Sequence, residues 1–163
     1  MMQRTAVLAA LTAALACAQG GTTVILVRHA ERATAAMSDT DLGLSPTGAR
    51  RARQLDRILA DSHVQAIYTS ALPRTIQTAQ PLAQHLGITP SEISDVSAVV
   101  SEIKSHPGRT TLVVHHSNTV PKIMEGLGVR SAPAIGETQY DWMFIVTIRG
   151  PSDATVLSLH YGE

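Results

Sequence analysis

Histidines and arginines follow three short apolar segments of the sequence. Arg28 and His29 come directly after residues 22–27 (TTVILV), Arg74 follows a second such segment, and His116 follows a third. Guanidinium groups match the oxygens of a phosphoryl group. A neutral imidazole can attack phosphorus, and a ring N–H can donate to a phosphoryl oxygen. These residue types indicate phosphoryl chemistry if the fold brings the three segments together.

The pattern around these residues predicts an α/β fold. Short runs rich in β-branched residues are typical of strands buried on both faces, and they alternate with amphipathic segments. Strands are predicted at 22–27, 65–69, 88–93, 110–115, 142–148 and 155–160, and helices at 45–60, 70–86, 95–105 and 117–127. The alternation predicts a three-layer α/β/α architecture with a mostly parallel central sheet and an antiparallel hairpin at the end. Because ligands of such sheets gather beyond the carboxyl ends of the strands, we expect the three segments to converge.

The helix predicted at residues 45–60 has clear start signals. Ser45 can cap it, and Pro46 suits the first helical position, where its missing N–H costs nothing. Five residues are expected on its packed side: Ala49, Ala52, Leu55, Ile58 and Leu59. A row of arginines on another side is interpreted as a solvated face: Arg50, Arg53 and Arg57.

The composition excludes several classes of protein. The 163 residues are 44% hydrophobic and only 16% charged, which does not fit a disordered chain. Thirteen basic and thirteen acidic residues balance, and aromatics are 3%, so no nucleic-acid surface is expected. One cysteine excludes an intramolecular disulfide and a Cys-rich zinc site. We expect a single domain over residues 22–163.

Residues 1–18 have the pattern of a secretory signal. Arg4 precedes an apolar run at 5–16, which is too short to span a membrane, and small residues then offer cleavage sites. The alternative is a buried N-terminal helix. Cys17 is also placed where a lipoprotein would carry its lipid anchor, although simple cleavage is favoured. We therefore expect a periplasmic or extracellular protein without a membrane span.

Four blocks of the sequence resemble motifs of one family. They are residues 27–31 (VRHAE), 44–48 (LSPTG), 68–79 (YTSALPRTIQTA) and 113–119 (VVHHSNT). In this order and spacing they resemble the histidine phosphatase superfamily, the phosphoglycerate mutase-like proteins, in a small compact form. The resemblance implies the phosphoglycerate mutase-like fold.

The resemblance also implies roles for individual residues. His29 would be the nucleophile that becomes phosphohistidine, and Arg28 and Arg74 would hold the phosphoryl oxygens. His116 matches the second active-site histidine, whereas His115 occupies the place where the family usually has glycine. The neighbouring guanidinium groups are expected to lower the pKa of His29 and so keep it neutral. Neither a cofactor nor a metal is implied.

Three assignments stay open at this stage. Arg32 either joins the substrate-binding residues or forms a surface ion pair. His115 either approaches the pocket or points into the sheet as a structural residue, and the second reading is favoured. A general acid for the leaving group is expected to be a carboxylate, with Asp95 as the first choice. The other candidates are Glu31, Glu92, Glu102, Glu137 and Asp141.

The sequence thus predicts a metal-independent phosphatase acting on a phosphorylated small molecule or phosphoprotein. The main alternative is a non-catalytic phosphate- or phosphoprotein-binding module on the same fold, suggested by the unassigned acid. A metal-binding protein built on the seven histidines is disfavoured. His115 and His116 are neighbours in a predicted strand and should point to opposite faces.

Overall fold

The computed structural model describes residues 21–33, 43–151 and 153–162. The predicted signal segment and Cys17 lie outside these ranges. Within them the strands are β1 (Thr22–Arg28), β2 (Ala66–Thr69), β3 (Ser91–Glu92), β4 (Thr110–His115), β5 (Trp142–Gly150) and β6 (Asp153–His160). The helices are α1 (Pro46–Leu59), α2 (Pro73–Leu86), α3 (Val96–Lys104) and α4 (Val120–Gly126). No helix among the described residues is long and apolar enough to cross a membrane.

The strands form one sheet in the order β3-β2-β4-β1-β5-β6. The first four of these strands are parallel, whereas β5 is antiparallel to β1 and β6 is antiparallel to β5. Helices α1 and α2 cover one face of the sheet, and α3 and α4 cover the other. The predicted three-layer α/β/α architecture with a mostly parallel sheet is therefore confirmed.

Strand β1 lies in the middle of the sheet and contributes to both cores. Val24 and Leu26 pack in the cluster with α3 and α4, and Ile25 and Val27 pack in the cluster with α1 and α2. Side chains of this size each contribute about 1.5–3 kcal/mol when fully buried. This two-sided packing fixes the end of β1, from which the next residues enter the site.

Helix α1 follows its sequence signals with one exception. The Ser45 hydroxyl accepts a hydrogen bond of 3.1 Å from the N–H of Gly48, and Leu55 and Leu59 are buried. The predicted packing of Ile58 is wrong, because its side chain is 51% exposed. Position 58 lies at the margin of the helical stripe that 52, 55 and 59 define. The predicted arginine row is exposed, as expected: Arg50, Arg53 and Arg57.

Several element boundaries differ from the prediction. Helix α2 begins at Pro73 with Leu72 as its N-cap, because the Ser70 hydroxyl is engaged elsewhere. Helix α4 begins only at Val120, which places Pro121 in its first turn. Strand β3 is two residues long, and the final hairpin is longer than predicted, since Gly150 still pairs with Asp153.

Candidate active site

The pairing of β1 with β4 brings two histidines to one edge of the sheet. Arg28 and His115 are register partners at the ends of these parallel strands. The N–H of His29 donates to the carbonyl of His115 over 2.8 Å, which continues the ladder by one residue. The rings of His29 and His116 are 5.4 Å apart between centroids. The segment that carries Arg28 and His29 and the segment that carries His116 therefore lie side by side.

A pocket of about 430 Å³ opens at this edge. Five of the predicted site residues line it: Arg28, His29, Arg32, Arg74 and His116. The other lining residues are Leu72, Ser117, Asn118, Glu137 and Tyr140. Three guanidinium groups around two imidazoles make a site suited to a phosphoryl group.

A second cavity of about 470 Å³ lies at the opposite edge of the sheet. Its lining includes Gly21 and Gly108, which precede β1 and β4, together with Lys104 and Arg149. It contains no histidine and no carboxylate. None of the site residues predicted from the sequence lines this second cavity.

His29 is a buried, neutral imidazole with a defined tautomer. Its side chain is almost inaccessible, and Nδ1 lies 2.8 Å from the carbonyl of Ala30. Because a carbonyl only accepts, Nδ1 carries the proton and Nε2 keeps its lone pair. Burial, together with the nearby charges of Arg74 and Arg28, lowers the pKa of His29 to about 4, although the hydrogen bond to Ala30 opposes this shift. The ring is therefore neutral with a lone pair on Nε2, which is the protonation state that nucleophilic attack requires.

The ring of His116 is held in place through its Nε2 atom. Its Nε2 lies 3.0 Å from the Ser70 hydroxyl, which lies 3.0 Å from the Thr75 hydroxyl. The Thr75 hydroxyl also lies 2.8 Å from the carbonyl of Leu72, so its one proton can go either to that carbonyl or to the Ser70 hydroxyl. Burial, followed by the charge of Arg74, lowers the pKa of His116 to about 4. Since Nε2 is engaged, Nδ1 is the ring nitrogen left to contact a ligand.

Arg28 uses one end of its guanidinium to fix a loop. Its Nη1 donates to the carbonyls of Gly136, Glu137 and Gln139, at 2.9, 2.7 and 3.1 Å. The ring of Tyr140 lies against the guanidinium, 4.0 Å from its carbon. The buried Nε has no hydrogen-bond partner among the described residues. Arg28 therefore both lines the pocket and attaches residues 136–139 to it, a second contact that the sequence did not predict.

Arg74 and Arg32 reach the pocket from different elements. Arg74 lies in the first turn of α2, and its charge contributes to the lowered pKa of both His29 and His116. Arg32 lies three residues after His29, where its main chain bridges to Leu44. Among the described residues Arg32 forms no ion pair, so the surface ion-pair reading has no support within those ranges.

His115 is a structural residue, which is the reading favoured from the sequence. It is completely buried, its Nε2 lies 2.9 Å from the carbonyl of Ile93, and its Nδ1 lies 3.1 Å from the Thr119 hydroxyl. The ring therefore donates from Nε2 and accepts at Nδ1. Burial lowers its pKa, which is consistent with this neutral form. His115 ties β4 to the segment after β3 and is not among the residues that line the pocket.

The structure argues against Asp95 as general acid. Its carboxylate caps α3 by accepting from the N–H of Ala98 over 2.8 Å and from the Ser97 hydroxyl. The hydrogen bond from the Ser97 hydroxyl and, to a smaller extent, that from the Ala98 N–H hold the pKa of Asp95 below its usual range. Asp95 does not line the pocket. An aspartate just before an apolar helix is a cap signal, and that reading was missed.

Of the other candidate carboxylates, two are paired with basic side chains and one lines the pocket. Glu31 forms a close pair with Arg51, with oxygen–nitrogen distances down to 2.7 Å. Asp141 pairs with His160 at 2.7 Å. Of the candidates, only Glu137 lines the pocket. Glu92 on β3 and Glu102 on α3 do not reach it.

The sequence matches a known family over much of this region. The model of the histidine phosphatase superfamily, branch 1, matches residues 24–97, which contain three of the four motifs. The comparison with curated proteins found no match.

Solved structures of similar fold cover most of the chain. A protein histidine phosphatase SixA complexed with tungstate is 20% identical, with 85% of this chain and 96% of that chain covered and a TM-score of 0.69. A proposed phosphohistidine phosphatase SixA from Nakamurella multipartitia is 23% identical, with 88% and 98% covered and a TM-score of 0.64. A mycobacterial glucosyl-3-phosphoglycerate phosphatase is 14% identical, with 87% and 100% covered and a TM-score of 0.69.

At these identities the structures establish the fold alone. The family model of the histidine phosphatase superfamily matches residues 24–97, where three of the four sequence blocks that resemble this superfamily lie. Within residues 21–33, 43–151 and 153–162, no three His, Cys, Asp or Glu side chains lie close enough together to hold a metal ion.

Proposed function

We propose that this protein is a phosphatase that hydrolyses phosphorylated compounds through a phosphohistidine on His29. The family match and the fold support phosphatase activity in general. The observation that carries the finer proposal is the state of His29. It is buried, neutral and protonated on Nδ1, and it shares a pocket with three arginines and a second histidine.

The reaction would proceed in two displacements at phosphorus. Nε2 of His29 attacks, the bond from phosphorus to the leaving oxygen breaks, and phosphohistidine forms. Arg28 and Arg74 hold the equatorial oxygens, where stabilisation of charge is the main task of the protein. Nδ1 of His116 can donate to the same group. Water then attacks phosphohistidine, which releases phosphate and restores the imidazole.

The substrate is proposed as a class. The similar solved structures include proteins named for phosphohistidine and for glucosyl-3-phosphoglycerate, so they span a phosphoprotein and a small metabolite. Both are phosphorylated compounds that present a phosphoryl group to a cationic pocket. We also propose, from residues 1–18 alone, that the protein acts outside the cytoplasmic membrane.

The test is hydrolysis of p-nitrophenyl phosphate by the purified protein in the presence of a chelator. We expect turnover by the wild type and its loss in His29→Ala. His85→Ala is the matched control, because His85 is an exposed histidine paired with Asp56 and does not line the pocket. Phosphate bound to the wild-type protein that is stable to alkali and labile to acid would identify phosphohistidine. Protein-bound phosphate that is stable to acid is not expected. Phosphate binding without turnover would instead favour the binding module.

A further inference from the structure

The proposed function leaves one chemical requirement without a residue. The oxygen of an alkyl ester is a poor leaving group unless it is protonated as its bond to phosphorus breaks. His29 supplies the nucleophile, and the arginines carry no proton that they can transfer at neutral pH. A general acid must therefore reach the mouth of the pocket, where the leaving group lies when phosphorus faces His29.

Glu137 is at the right place for this task. It lines the same pocket as His29 and Arg28, and among the described carboxylates it alone does so. Glu137 is exposed, so a leaving group that projects from the pocket can contact it.

The loop that carries Glu137 is held in place by the phosphate-binding residue itself. Arg28 donates to the carbonyls of Gly136, Glu137 and Gln139. The loop is closed on itself by two further bonds, from the N–H of Gly136 to the Gln139 side chain at 2.8 Å and from the N–H of Gln139 to the Gly136 carbonyl at 3.1 Å. A group that acts on a reacting oxygen must be positioned in this way, because catalysis falls steeply with misplacement.

We propose that Glu137 is the general acid and base of this active site. In the first step its carboxyl proton passes to the leaving oxygen as the electron pair of the phosphorus–oxygen bond moves there, so that the alcohol leaves neutral. Glu137 is then a carboxylate. In the second step it takes a proton from the attacking water, and the electron pair of the phosphorus–nitrogen bond returns to Nε2 of His29. The net change is hydrolysis of the ester, and both residues regain their starting states.

This assignment, which depends on the proposed function, defines a substrate class. A pocket with its own acid can hydrolyse monoesters of ordinary alcohols as well as activated compounds such as acyl phosphates and phosphohistidine. Tyr140 adds an aromatic surface at the same mouth, with its ring 6.0 Å from that of His29. We therefore expect phosphomonoesters of alcohols among the substrates.

The test compares substrates that differ in their need for an acid. The purified protein and Glu137→Gln are assayed on p-nitrophenyl phosphate, phenyl phosphate and β-glycerophosphate, and kcat/KM is compared because it reports the first displacement. General acids contribute roughly 10²–10⁴-fold. We expect Glu137→Gln to lower kcat/KM at least about 100-fold for β-glycerophosphate and less than about fivefold for p-nitrophenyl phosphate.

Two controls separate this proposal from others. Glu125→Gln removes an exposed carboxylate of α4 that does not line the pocket, and Asp95→Asn changes the cap of α3. Both should leave the ratio of kcat/KM values for the three substrates unchanged. An equal loss of activity on all substrates in Glu137→Gln, no loss on the alkyl ester, or a wild type that hydrolyses only p-nitrophenyl phosphate would overturn the role of Glu137. A wild type inactive on all three would instead count against the phosphatase itself.

Discussion

Ser70 and His116 are joined by a 3.0 Å contact between a hydroxyl and Nε2, although they lie on different elements. The hydroxyl can donate or accept, so it can match either neutral tautomer of the histidine. When His116 donates from Nδ1 to a phosphoryl oxygen, its Nε2 must accept, and Ser70 is the group that can donate to it. Ser70 therefore positions a residue of the site without lining the pocket itself.

Ser70→Ala tests this positioning role. The loss of one buried hydrogen bond costs about 1–1.5 kcal/mol, so kcat/KM for p-nitrophenyl phosphate should fall roughly tenfold. The ¹⁵N spectrum of the His116 ring should change at the same time, because the tautomer is no longer set at Nε2.

Ser105→Ala is the matched control, since the Ser105 hydroxyl lies at an exposed helix end, where it contacts the Glu102 carbonyl and Nδ1 of His106 and does not line the pocket. A Ser70→Ala protein with unaltered kcat/KM and an unaltered His116 spectrum would contradict the role.

The environment of His29 predicts an unusual pH dependence. Burial and two arginines lower its pKa to about 4, so the folded protein leaves it neutral where the unfolded chain, with an ordinary histidine near 6.5, binds a proton. The free energy of unfolding should therefore fall as the pH decreases from about 6.5 to about 4. His116 adds to the same effect.

Ring ¹⁵N spectra recorded between pH 7 and pH 4 measure this directly. His29 should keep the Nδ1–H tautomer through pH 5, and its titration midpoint should lie near 4. The exposed His85 serves as an internal reference. A midpoint near 6.5 for His29 would show that its surroundings do not favour the neutral ring.

Gly48 lies where α1 closely approaches the segment that carries His29. A Cβ at this position would overlap the carbonyl oxygen of Glu31, two residues after His29. Gly48→Ala should reduce the free energy of unfolding by about 1–3 kcal/mol, as overpacking does, and displace the segment that carries His29. Urea unfolding and kcat/KM would both report the change. Gly150→Ala, where a Cβ meets nothing within 4 Å, should alter neither.

Arg51 joins Glu31, two residues after His29, to the end of the sheet. It is paired with Glu31 and also donates to the Tyr161 carbonyl over 2.8 Å. Arg51→Met leaves both acceptors without their donor, so we expect a loss of about 2–4 kcal/mol in urea unfolding.

Arg53→Met, at an exposed position of the same helix, should change stability by less than about 0.5 kcal/mol. Replacing the pair together, as Arg51→Met with Glu31→Leu, should recover much of the loss because no unpaired charge remains. A double variant no more stable than Arg51→Met alone would contradict this account.

The sequence predicts the sheet, the helices and the convergence of the two histidines, because these follow from local signals. Buried β-branched runs define β1 and β4, and parallel pairing then brings the residues after them to one edge. Arg28, His29, Arg74 and His116 lie within recognisable motifs, so their shared pocket was expected.

The contacts of residues 136–140 could not be predicted in this way. Arg28 bonds to main-chain carbonyls there, and every residue has a carbonyl, so no side-chain type marks the partner. Tyr140 and Glu137 have no periodic pattern around them that would place them against β1. Asp95 shows the opposite case, since its place just before an apolar helix is a local cap signal, and it does cap α3.

The central position of β1 also has a consequence for how the chain folds. Strand β1 pairs on one side with β4, which begins at Thr110, and on the other with β5, which begins at Trp142. Pairings between such distant segments must first meet the entropy cost of closing long loops, so they form late and slowly. During synthesis, His29 emerges early but gains His116 and the Arg28-bound loop only when most of the chain is available. The active site is therefore among the last parts of this protein to assemble, and its appearance would report completion of folding.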